Sequence, residues 1–399
     1  MIFVAFGALV LVPILVGFHP SIALFTAGAG TLLFSFVTQQ KVPVFLASSF
    51  AFIAPIQFSV SNFGYGATFT ALASAGLLYV CLAALIYHRG TGFLETYLPP
   101  IVTGPIIIVI GLSLSDVAIQ MAISWDGQGT YNGSAAIVSA FTFAVAVIMV
   151  RSSKRILNVL PIILAIGAGY FVCLIFGWTN LVPVKQAPWF VFPWAAAKEA
   201  GQFVVPGWSL QAILYMLPVA IVPAIEHIGD ILAIGNVTKK DYLKHPGLHR
   251  TMLGDGLATM IAGFLGGPPN TTYSEVTGAV AITKAYKVIY MQIAAGLAIL
   301  LAFVGKLGAF LQTIPSPVMG GVLILAFGMI AAVGIGTLMR SKADFENPRT
   351  YLVVAVILVV GIGDLQWTFG SFTIGGLGLA GVLGIALHRL LAIQSTSKD

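Results

Sequence analysis

The sequence predicts an all-α polytopic membrane protein of about fourteen transmembrane segments, built as two inverted repeats of seven. Three observations support this prediction: an apolar composition, regularly spaced apolar runs and an internal repeat. Of the 399 residues, 58% are hydrophobic and 8% are charged, whereas a soluble domain carries about 25% charged residues. The 44 glycines and 20 prolines are typical of closely packed, locally broken transmembrane helices. The composition therefore excludes a soluble globular protein of this size.

Apolar runs separated by turns and charges locate the transmembrane segments. A helix needs about 20 apolar residues to cross a bilayer. The first run opens on Met1 without the basic residues of a signal peptide. We therefore expect the chain to begin inside its first helix, with a short upstream piece missing. The predicted segments are 1–18, 20–38, 43–59, 66–87, 98–122, 134–151, 156–177, 209–236, 251–266, 270–285, 288–305, 314–338, 349–363 and 371–389.

The distribution of lysine and arginine predicts that both termini are cytoplasmic. If the N-terminus lies inside, 16 of the 19 lysines and arginines fall in cytoplasmic loops, and only Lys185, Lys198 and Lys306 fall outside. Such an excess marks the cytoplasmic side of membrane proteins, so we expect a multi-pass protein of the inner (plasma) membrane. Because the positive charges are spread over short loops, nucleic acid is not an expected partner.

The chain contains an internal repeat. The stretch 89–112 aligns without gaps on 306–329, at an offset of 217 residues. The two copies fall in predicted segments five and twelve, which cross the membrane in opposite directions. Inverted repeats are typical of secondary transporters, whose substrate site lies near the midplane between the repeats. The identical pairs are Phe93/Phe310, Leu94/Leu311, Thr96/Thr313, Pro100/Pro317, Gly104/Gly321, Ile107/Ile324 and Gly111/Gly328.

Two short and polar segments, 43–59 and 270–285, occupy corresponding positions of the two halves. SSFAF at 48–52 matches TTYSE at 271–275: two hydroxyls, an aromatic and a small residue, followed by Phe52 or Glu275. We expect each segment to be a half-helix preceded by extended backbone. Such backbone is tolerated at membrane depth only where protein or a water-filled cavity covers it. A pair of interrupted segments at corresponding positions indicates a binding site.

Carboxylates within apolar runs are the first candidate site residues. Glu226 lies in the run 209–238, and Glu275 lies in segment ten. A charged side chain at the bilayer centre costs about 3 kcal/mol or more, which makes each a functional-site hypothesis. Asp230 shares the helix face of Glu226. We expect Glu226 and Asp230 to bind substrate or protons, with a carboxylate satisfied by a neighbouring helix as the alternative. His227 points away from that face and is interpreted as structural or interfacial, with a proton relay as the alternative.

The start of segment ten predicts the kind of solute. Two consecutive prolines stop the preceding helix, and a half-helix beginning near Tyr273 directs its free N–H groups into the cavity. Glu226 and Glu275 supply acceptors when ionised, and Tyr273 and Phe50 supply flat apolar surface. This inventory matches a small planar solute with both N–H donors and C=O acceptors. Plain packing is the alternative role for the two aromatic side chains.

Other chemistries lack their motifs. The sequence contains no Walker motif, no G-x-S-x-G and no metal-spaced His/Cys cluster. We therefore expect neither ATP-driven transport nor catalysis, and no cofactor or metal. Cys81 and Cys173 lie in apolar runs, so a disulfide framework is not expected. The stretch 245–256, HPGLHRTMLGDG, is interpreted as a solvated cytoplasmic loop.

Several stretches carry the motifs of one family. EVTGAVAITK at 275–284 corresponds to the signature E-N-x-G-x(4)-T-[KR]. Further matches are FGALVLVP (6–13), VPVFLASSFAFIAP (42–55), AIEHIGD (224–230), NVTKKDYLKHPGLHRTMLGDGLAT (236–259), GFLGGPPNTTYSEVTGAVAITK (263–284) and IPSPVMGG (314–321). By these motifs the chain resembles the nucleobase–ascorbate transporter family, and within it the bacterial uracil permeases, over essentially its whole length.

The resemblance implies a fourteen-helix fold divided into a core domain (segments 1–4 and 8–11) and a gate domain (segments 5–7 and 12–14). Short antiparallel strands in segments three and ten would meet at the substrate. Family members are typically proton or sodium symporters and often homodimers through the gate domain. The implied domain pieces are 1–90 (core, first repeat), 91–200 (gate, first repeat), 201–306 (core, second repeat) and 307–399 (gate, second repeat).

The resemblance also assigns roles to individual residues. Glu226 and Glu275 would bind the base, Ala8 and Ser274 would contribute through nearby backbone, and Phe327 stands where the uracil permeases have a gate tyrosine. The full set of implied substrate-binding residues is Glu226, Glu275, Tyr273, Phe50, Ala8, Ser274 and Phe327.

Three features depart from the family pattern. Val276 replaces the signature asparagine, and the Gln-His pair expected in the first helix is missing from the chain. Asp230 stands where the bacterial uracil permeases carry a histidine linked to proton coupling. Asp230 is therefore the first candidate for proton coupling, with Glu226 and Glu275 as the others.

The sequence thus predicts a secondary active transporter that imports uracil or a related nucleobase by proton symport, with Na⁺ as the alternative ion. A xanthine or other purine-base permease is one alternative, and an anion carrier of the same fold is another. We disfavour the anion carrier because no basic residue is expected to face the site. A membrane-embedded enzyme or receptor would need a catalytic constellation or a ligand-sensing soluble domain, and the sequence predicts neither.

Overall fold

A computed structural model describes residues 1–90, 92, 99–152, 154, 157, 160–341, 344–369 and 372–396. Most of these residues are helical. Within the first copy of the internal repeat, Phe93, Leu94 and Thr96 lie outside the described residues.

The first half of the chain is a series of apolar helices joined mostly by short connections. Its helices are α1 (Val12–Leu15), α2 (Pro20–Val37), α3 (Ile53–Arg89), α4 (Pro100–Ser113), α5 (Ser115–Ile123), α6 (Gly133–Arg151), α7 (Pro161–Ile175), α8 (Val182–Gln186) and α9 (Pro193–Glu199). A π-helical turn at Gly7–Leu11 leads into α1, and a 3-10 turn at Phe50–Phe52 leads into α3. Gly64 interrupts α3 with a φ of 78° and ψ of 170°, a conformation that favours glycine. This break separates predicted segments three and four.

The second half repeats this organisation. Its helices are α10 (Leu210–Thr238), α11 (Leu248–Phe264), α12 (Ser274–Thr283), α13 (Ile289–Ala302), α14 (Gly305–Gln312), α15 (Ser316–Arg340), α16 (Pro348–Ile362) and α17 (Gly376–Thr396). The Ser209 side chain caps the start of α10 by accepting from the Ala212 N–H at 3.3 Å. A π-helical turn at Leu243–Gly247 precedes α11.

Two short strands connect the two halves at the interrupted segments. Strand β1 (Ala47–Ser48) pairs antiparallel with β2 (Asn270–Thr271), with Ala47 opposite Thr271 and Ser48 opposite Asn270. The four residues are buried, and the Ser49 N–H donates to the Pro269 carbonyl at 2.9 Å. Each strand thus satisfies backbone groups of the other in the interior, where water is not available to do so. A second hairpin joins β3 (Trp367–Phe369) and β4 (Phe372–Ile374).

Two sets of helices pack mainly among themselves. In the first set, α3 packs against α10 and α11, and α2 packs against α11 and α13. In the second set, α15 packs against α4, α5 and α6, while α16 packs against α4 and α17. The most extensive association between the sets joins α10 to α17. Because α10 carries Glu226 and Asp230, the candidate site lies on the helix that faces both sets.

Six helical segments in the described part of the chain are long and apolar enough to cross a membrane. Four shorter apolar helices accompany them, each of 10–17 residues. The chain is therefore a mostly helical, multi-pass membrane protein. The count of fourteen segments and the cytoplasmic position of the termini stay predictions.

The structure corrects two boundaries. The stretch 245–256 was interpreted as a solvated loop, but α11 already begins at Leu248, and Asp255 is fully buried in it. The apolar side chains of this stretch pack inside the protein, which sets its conformation more strongly than its three basic residues do. Segment fourteen was expected at 371–389; the β3–β4 hairpin occupies its start, and α17 runs from Gly376 to Thr396.

Close packing of α3 on α11 leads to a stability prediction. A Cβ added at Gly76 would overlap the backbone nitrogen of Met260 and lie 2.6 Å from the Gly256 carbonyl oxygen. These backbone atoms cannot move aside individually, so the helices would have to separate. We expect Gly76→Ala to lower stability by about 1–3 kcal/mol, as overpacked cores do, measured by thermal melting of the purified protein in detergent.

Gly296 in α13 is the matched control, because a Cβ added there meets nothing within 4 Å. Gly296→Ala should keep or raise the melting temperature, since alanine favours a helix by up to about 1 kcal/mol over glycine. Equal losses in both variants would contradict the assigned packing.

Candidate functional site

Two carboxylates of the candidate site lie one turn apart on α10. The prolines at 218 and 223 are inside this helix and precede both. Asp230 is buried, with 4% of its surface exposed, and Glu226 is half-buried. Asp230, Glu275 and Asp255 all lie close enough to Glu226 to interact with it electrostatically. The structure therefore brings Glu275, from a separate segment, together with Glu226 and Asp230.

Glu275 lies in the first turn of α12, the predicted half-helix. Tyr273 precedes this helix in an extended conformation (φ −134°, ψ 118°), and α12 begins at Ser274. The first N–H groups of a helix have no partner inside it, and the side chain of the N-cap residue Tyr273 accepts from none of them. The Glu275 carboxylate accepts from its own backbone N–H. The start of α12 thus offers hydrogen-bond donors and a positive dipole end beside the carboxylates.

Aromatic side chains from three elements meet next to these carboxylates. The ring centroids of Phe50 and Tyr273 are 6.0 Å apart. Phe327 on α15 approaches Phe50 edge to face, at 5.8 Å and 89°. All three are buried, and Tyr273 lies within electrostatic range of Glu226, Glu275 and Asp230. Phe50 therefore contacts both the segment that carries Glu275 and the opposite helix set.

The remaining predicted residues occupy backbone positions around this cluster. Ala8 is fully buried in the π-helical turn Gly7–Leu11, which packs against β1. Ser274 is the first residue of α12. Ala8 therefore lies in an element beside β1, and Ser274 directly precedes Glu275.

A first cavity extends from the aromatic cluster toward one end of the helices. It measures about 400 Å³ and reaches from Phe50 to Asp364 and Gln366 near the β3–β4 hairpin. Its other polar lining residues are Gln57, Ser61, Asn62, Ser113 and Tyr215.

A second cavity of about 240 Å³ includes Glu275 and reaches Val150 at the end of α6. Its remaining walls are mainly apolar: Phe3, Val4, Leu160, Pro161, Ile162, Gly278, Ala279, Ile282 and Met329. Phe50 lines the first cavity, and Glu275 lines the second. The carboxylate and aromatic cluster lies between them.

The structure adds two buried partners that the sequence interpretation missed. His227 Nδ1 lies 3.3 Å from Asp255 Oδ2, and both side chains are fully buried. Asp255 was interpreted as part of a solvated loop, which is wrong. The criterion that selected Glu226, a carboxylate within an apolar segment, applies equally to Asp255 inside predicted segment nine. His227, interpreted as structural or interfacial, also contacts Thr272.

The amino-acid sequence matches the model of one protein family. A model described as the permease family, Xan_ur_permease, matches residues 1–369. The chain belongs to this family. The permease is thus a membrane transporter rather than an enzyme.

Several curated relatives match the permease along nearly its whole length. It is 47% identical over 391 residues to a probable uracil permease of Haemophilus influenzae, covering 98% of this chain and 92% of the relative. It is 39% identical over 401 residues to the uracil permease of Bacillus subtilis, covering 98% and 90%. It is 38% identical over 395 residues to the uracil permease of Escherichia coli K12, covering 99% and 90%.

Solved structures share the fold of the permease at low sequence identity. The transmembrane domain of a cyanobacterial bicarbonate transporter, BicA, matches with a TM-score of 0.61 at 14% identity, covering 97% of this chain and 96% of that chain. Murine Slc26a9, an anion transporter in the inward-facing state, matches with a TM-score of 0.66 at 14% identity, covering 98% and 66%. At this identity the likeness concerns the fold alone.

Proposed function

We propose that the permease imports uracil or a related nucleobase by proton symport. The observation that carries this proposal is the meeting of Glu226 on α10 and Glu275 on the half-helix α12, beside the Phe50–Tyr273 aromatic pair. The names of the relatives, uracil permeases at 38–47% identity, point to the same substrate class.

The chemistry of the cluster suits a planar base with N–H and C=O groups. Carboxylate oxygens accept hydrogen bonds from ring N–H groups, and the uncapped N–H groups at the start of α12 donate to ring carbonyls. Phe50, Tyr273 and Phe327 supply the apolar faces on which a ring can pack. A site with few polar groups on an aromatic wall is typical of small-molecule pockets.

The charge of the site disfavours an anion as cargo. In the described part of the chain, neither the first nor the second cavity is lined by a lysine or arginine. Glu275 lines the second cavity, and Asp364 lines the first. An anion entering either cavity would therefore meet acidic groups without a compensating cation.

We infer proton coupling from the negative charge that three neighbouring carboxylates carry when they are ionised. Glu226, Asp230 and Glu275 lie together within a membrane-spanning helix set. Moving several ionised carboxylates past a low-dielectric gate is expensive, and a bound proton removes one of these charges. We assign the coupling proton first to Asp230, which stands where related uracil permeases carry a histidine, with Glu226 and Glu275 as the other candidates.

Alternating access would come from motion of two domains around this site. We propose 1–90 and 201–306 as the core domain, and 91–200 and 307–399 as the gate domain. The two sets of mutually packed helices support this division. Transporters built from inverted repeats move one such unit against the other around a fixed site. A homodimer through the gate domain and a cytoplasmic position of both termini complete the proposal.

Labelled uracil uptake tests the proposal, in cells lacking their own uracil permease and in proteoliposomes with an imposed pH gradient. We expect saturable accumulation that depends on an acidic exterior and persists without sodium. Sodium-dependent, pH-independent uptake would overturn proton symport. Competition by xanthine at concentrations near the uracil KM would identify a purine-base permease instead.

The aromatic contacts of Phe50 lead to a prediction about the affinity for uracil. Phe50→Leu keeps an apolar side chain but removes the flat face beside Tyr273 and Phe327. Aromatic pairing contributes about 0.5–1.5 kcal/mol, so we expect the uracil KM to rise by roughly twofold to tenfold, with little change in maximal rate.

The matched control for this affinity test is Phe171→Leu on α7, whose ring is 62% exposed on the helix surface. Its uptake kinetics should stay as in the unmodified protein. An unchanged KM in Phe50→Leu, or equal changes in both variants, would contradict the assignment of Phe50 to the substrate site.

A further inference from the structure

A continuous chain of polar side chains leads from Asp230 into the interior of the first helix set. Thr272 Oγ1 donates to Asp230 Oδ2 at 2.9 Å. His227 Nδ1 lies 3.3 Å from Thr272 Oγ1 and 3.3 Å from Asp255 Oδ2. The four residues are buried, with no more than 4% of any of them exposed. These four residues therefore come from three separate elements: α10, α11 and the segment that follows β2.

The geometry distinguishes the two contacts of the imidazole. His227 Nδ1 is hydrogen-bonded with Thr272, whereas its contact with Asp255 is an ion-pair distance without hydrogen-bond direction. A buried carboxylate is costly unless a partner compensates its charge, and here the partner is the imidazole. The imidazole thus lies between Asp255 and Thr272, one hydroxyl away from Asp230.

A purely structural ion pair would leave fewer polar atoms unsatisfied. Among the described residues, His227 Nε2, Asp255 Oδ1 and the Tyr79 hydroxyl are buried without a protein hydrogen-bond partner. Tyr79 lies within electrostatic range of Asp255. Each unsatisfied group costs about 1–3 kcal/mol, and such groups call for an explanation beyond packing. The other titratable side chains near these hydrogen-bonded residues are Glu226, Glu275 and Tyr273.

We propose that Asp255, His227 and Thr272 form a buried proton relay to Asp230. Imidazolium His227, held beside Asp255, passes its Nδ1 proton to Thr272 Oγ1 while the Thr272 hydroxyl proton moves to Asp230 Oδ2. One N–H and one O–H bond break and two O–H bonds form, so no proton is gained or lost. The imidazole is left neutral with its proton on Nε2, Asp230 becomes neutral, and Asp255 stays ionised.

The relay separates the coupling proton from the solute. Glu226 and Glu275 face the proposed base, whereas Thr272 contacts Asp230, and His227 contacts Thr272, from within the helix packing. Thr272 is then a positioning residue whose hydroxyl connects two proton-binding groups. This inference rests on the proposed proton symport, because a relay has a function only if Asp230 exchanges a proton during transport.

Substitutions of Thr272 test the relay, with Thr271 as a matched control. Thr272→Val keeps the shape of the side chain but removes the bridging hydroxyl, and Thr272→Ser restores it. Thr271 is the adjacent buried threonine, and its hydroxyl has no hydrogen-bond partner among the residues that the structure describes. Thr271→Val therefore makes the same chemical change at the neighbouring position without interrupting the hydrogen-bonded path from His227 to Asp230.

Two transport modes separate a relay from a structural role. Exchange of labelled for unlabelled uracil across the proteoliposome membrane, with the same pH on both sides, needs no net proton movement. Accumulation driven by a pH gradient does need it. We expect Thr272→Val to lose at least about tenfold in gradient-driven accumulation, a coupling change of about 1.4 kcal/mol, while exchange stays within twofold. Thr272→Ser and Thr271→Val should retain both modes.

A second variant, His227→Gln, should share the loss of accumulation, and combining it with Thr272→Val should add nothing because both interrupt one path. Equal losses of exchange and accumulation in Thr272→Val, wild-type accumulation in that variant, or failure of serine to rescue would overturn the relay. If the unmodified protein itself shows no pH-driven accumulation, the proposed symport fails, and this outcome is distinct from those of the variants.

Discussion

We expect Glu226→Gln to abolish uracil transport while leaving the protein folded. The substitution keeps the size of the side chain but replaces the carboxyl group with an amide, which has one acceptor oxygen and one donor NH₂ group. A base N–H would then face an NH₂ group, and the charge-assisted hydrogen bond would be lost. Removing one partner of such a buried contact costs about 2–5 kcal/mol, so the uracil affinity should fall by at least about thirtyfold.

Two measurements check the Glu226 prediction. Labelled uptake gives the transport rate, and thermal melting with and without uracil reports binding, since a ligand stabilises the state that it binds. Glu199→Gln is the control, because Glu199 ends the short helix α9 and is exposed. We expect the control to transport and to be stabilised by uracil as the unmodified protein is. Full uptake by Glu226→Gln would remove this carboxylate from the site.

We expect Asp230→Asn to uncouple transport rather than to prevent binding. Asparagine still accepts the hydrogen bond that Thr272 donates at 2.9 Å, but it cannot take up a proton. Uracil should bind and exchange, whereas accumulation above equilibrium should disappear. The dependence of uptake on an acidic exterior should disappear as well, since a proton that is not bound cannot drive the cycle.

The Asp230 prediction is checked by the accumulation ratio of uracil in proteoliposomes, measured with and without a pH gradient. Asp116→Asn on α5 is a matched control, because Asp116 is exposed and its side chain accepts from Gln120 on the same helix. Accumulation by Asp230→Asn that still follows the pH gradient would assign the coupling proton to Glu226 or Glu275.

The contrast between the two variants separates the roles of neighbouring carboxylates. Glu226→Gln should lose binding, exchange and accumulation together. Asp230→Asn should lose accumulation alone. Because Glu226 and Asp230 are one helical turn apart on α10, such a difference would come from what each side chain contacts rather than from its depth in the membrane.

The fold is shared with transporters of a different cargo, which makes the site chemistry decisive. BicA is described as a bicarbonate transporter and Slc26a9 as an anion transporter, and both match the permease at 14% identity. A fold does not specify a substrate; the groups at the site do. In this chain the half-helix α12 carries Glu275 in its first turn, so its positive end is already compensated by a carboxylate.

Local sequence features predicted the membrane segments and the first candidate residues with little ambiguity. Apolar runs, helix-breaking prolines and carboxylates within those runs are properties of neighbouring residues, and the low dielectric of the bilayer penalises exceptions. Glu226 and Glu275 could therefore be selected before any contact between them was known. The resemblance added Ala8, Ser274 and Phe327, which composition and periodicity alone would not have selected.

The short elements were harder to predict. The β3–β4 hairpin replaces the expected start of segment fourteen, and α8 and α9 occupy a stretch in which the sequence predicts no transmembrane segment. Such elements are shorter than the periodic patterns by which sequence reveals structure. Their conformation depends on contacts made elsewhere, such as the 3.0 Å hydrogen bond from Lys306 to the Val184 carbonyl across the chain.

The amino-acid sequence alone determines that this chain lies in a membrane, repeats itself and carries carboxylates where lipid would exclude them, because hydrophobicity and charge act residue by residue. Tertiary structure decides which of those carboxylates are connected through Thr272 and His227. Thr272 reaches Asp230 across 42 positions, and His227 reaches Asp255 from another helix. Contacts over such separations form only when α3, α10 and α11 pack together, and small residues such as Gly76 set how closely they do.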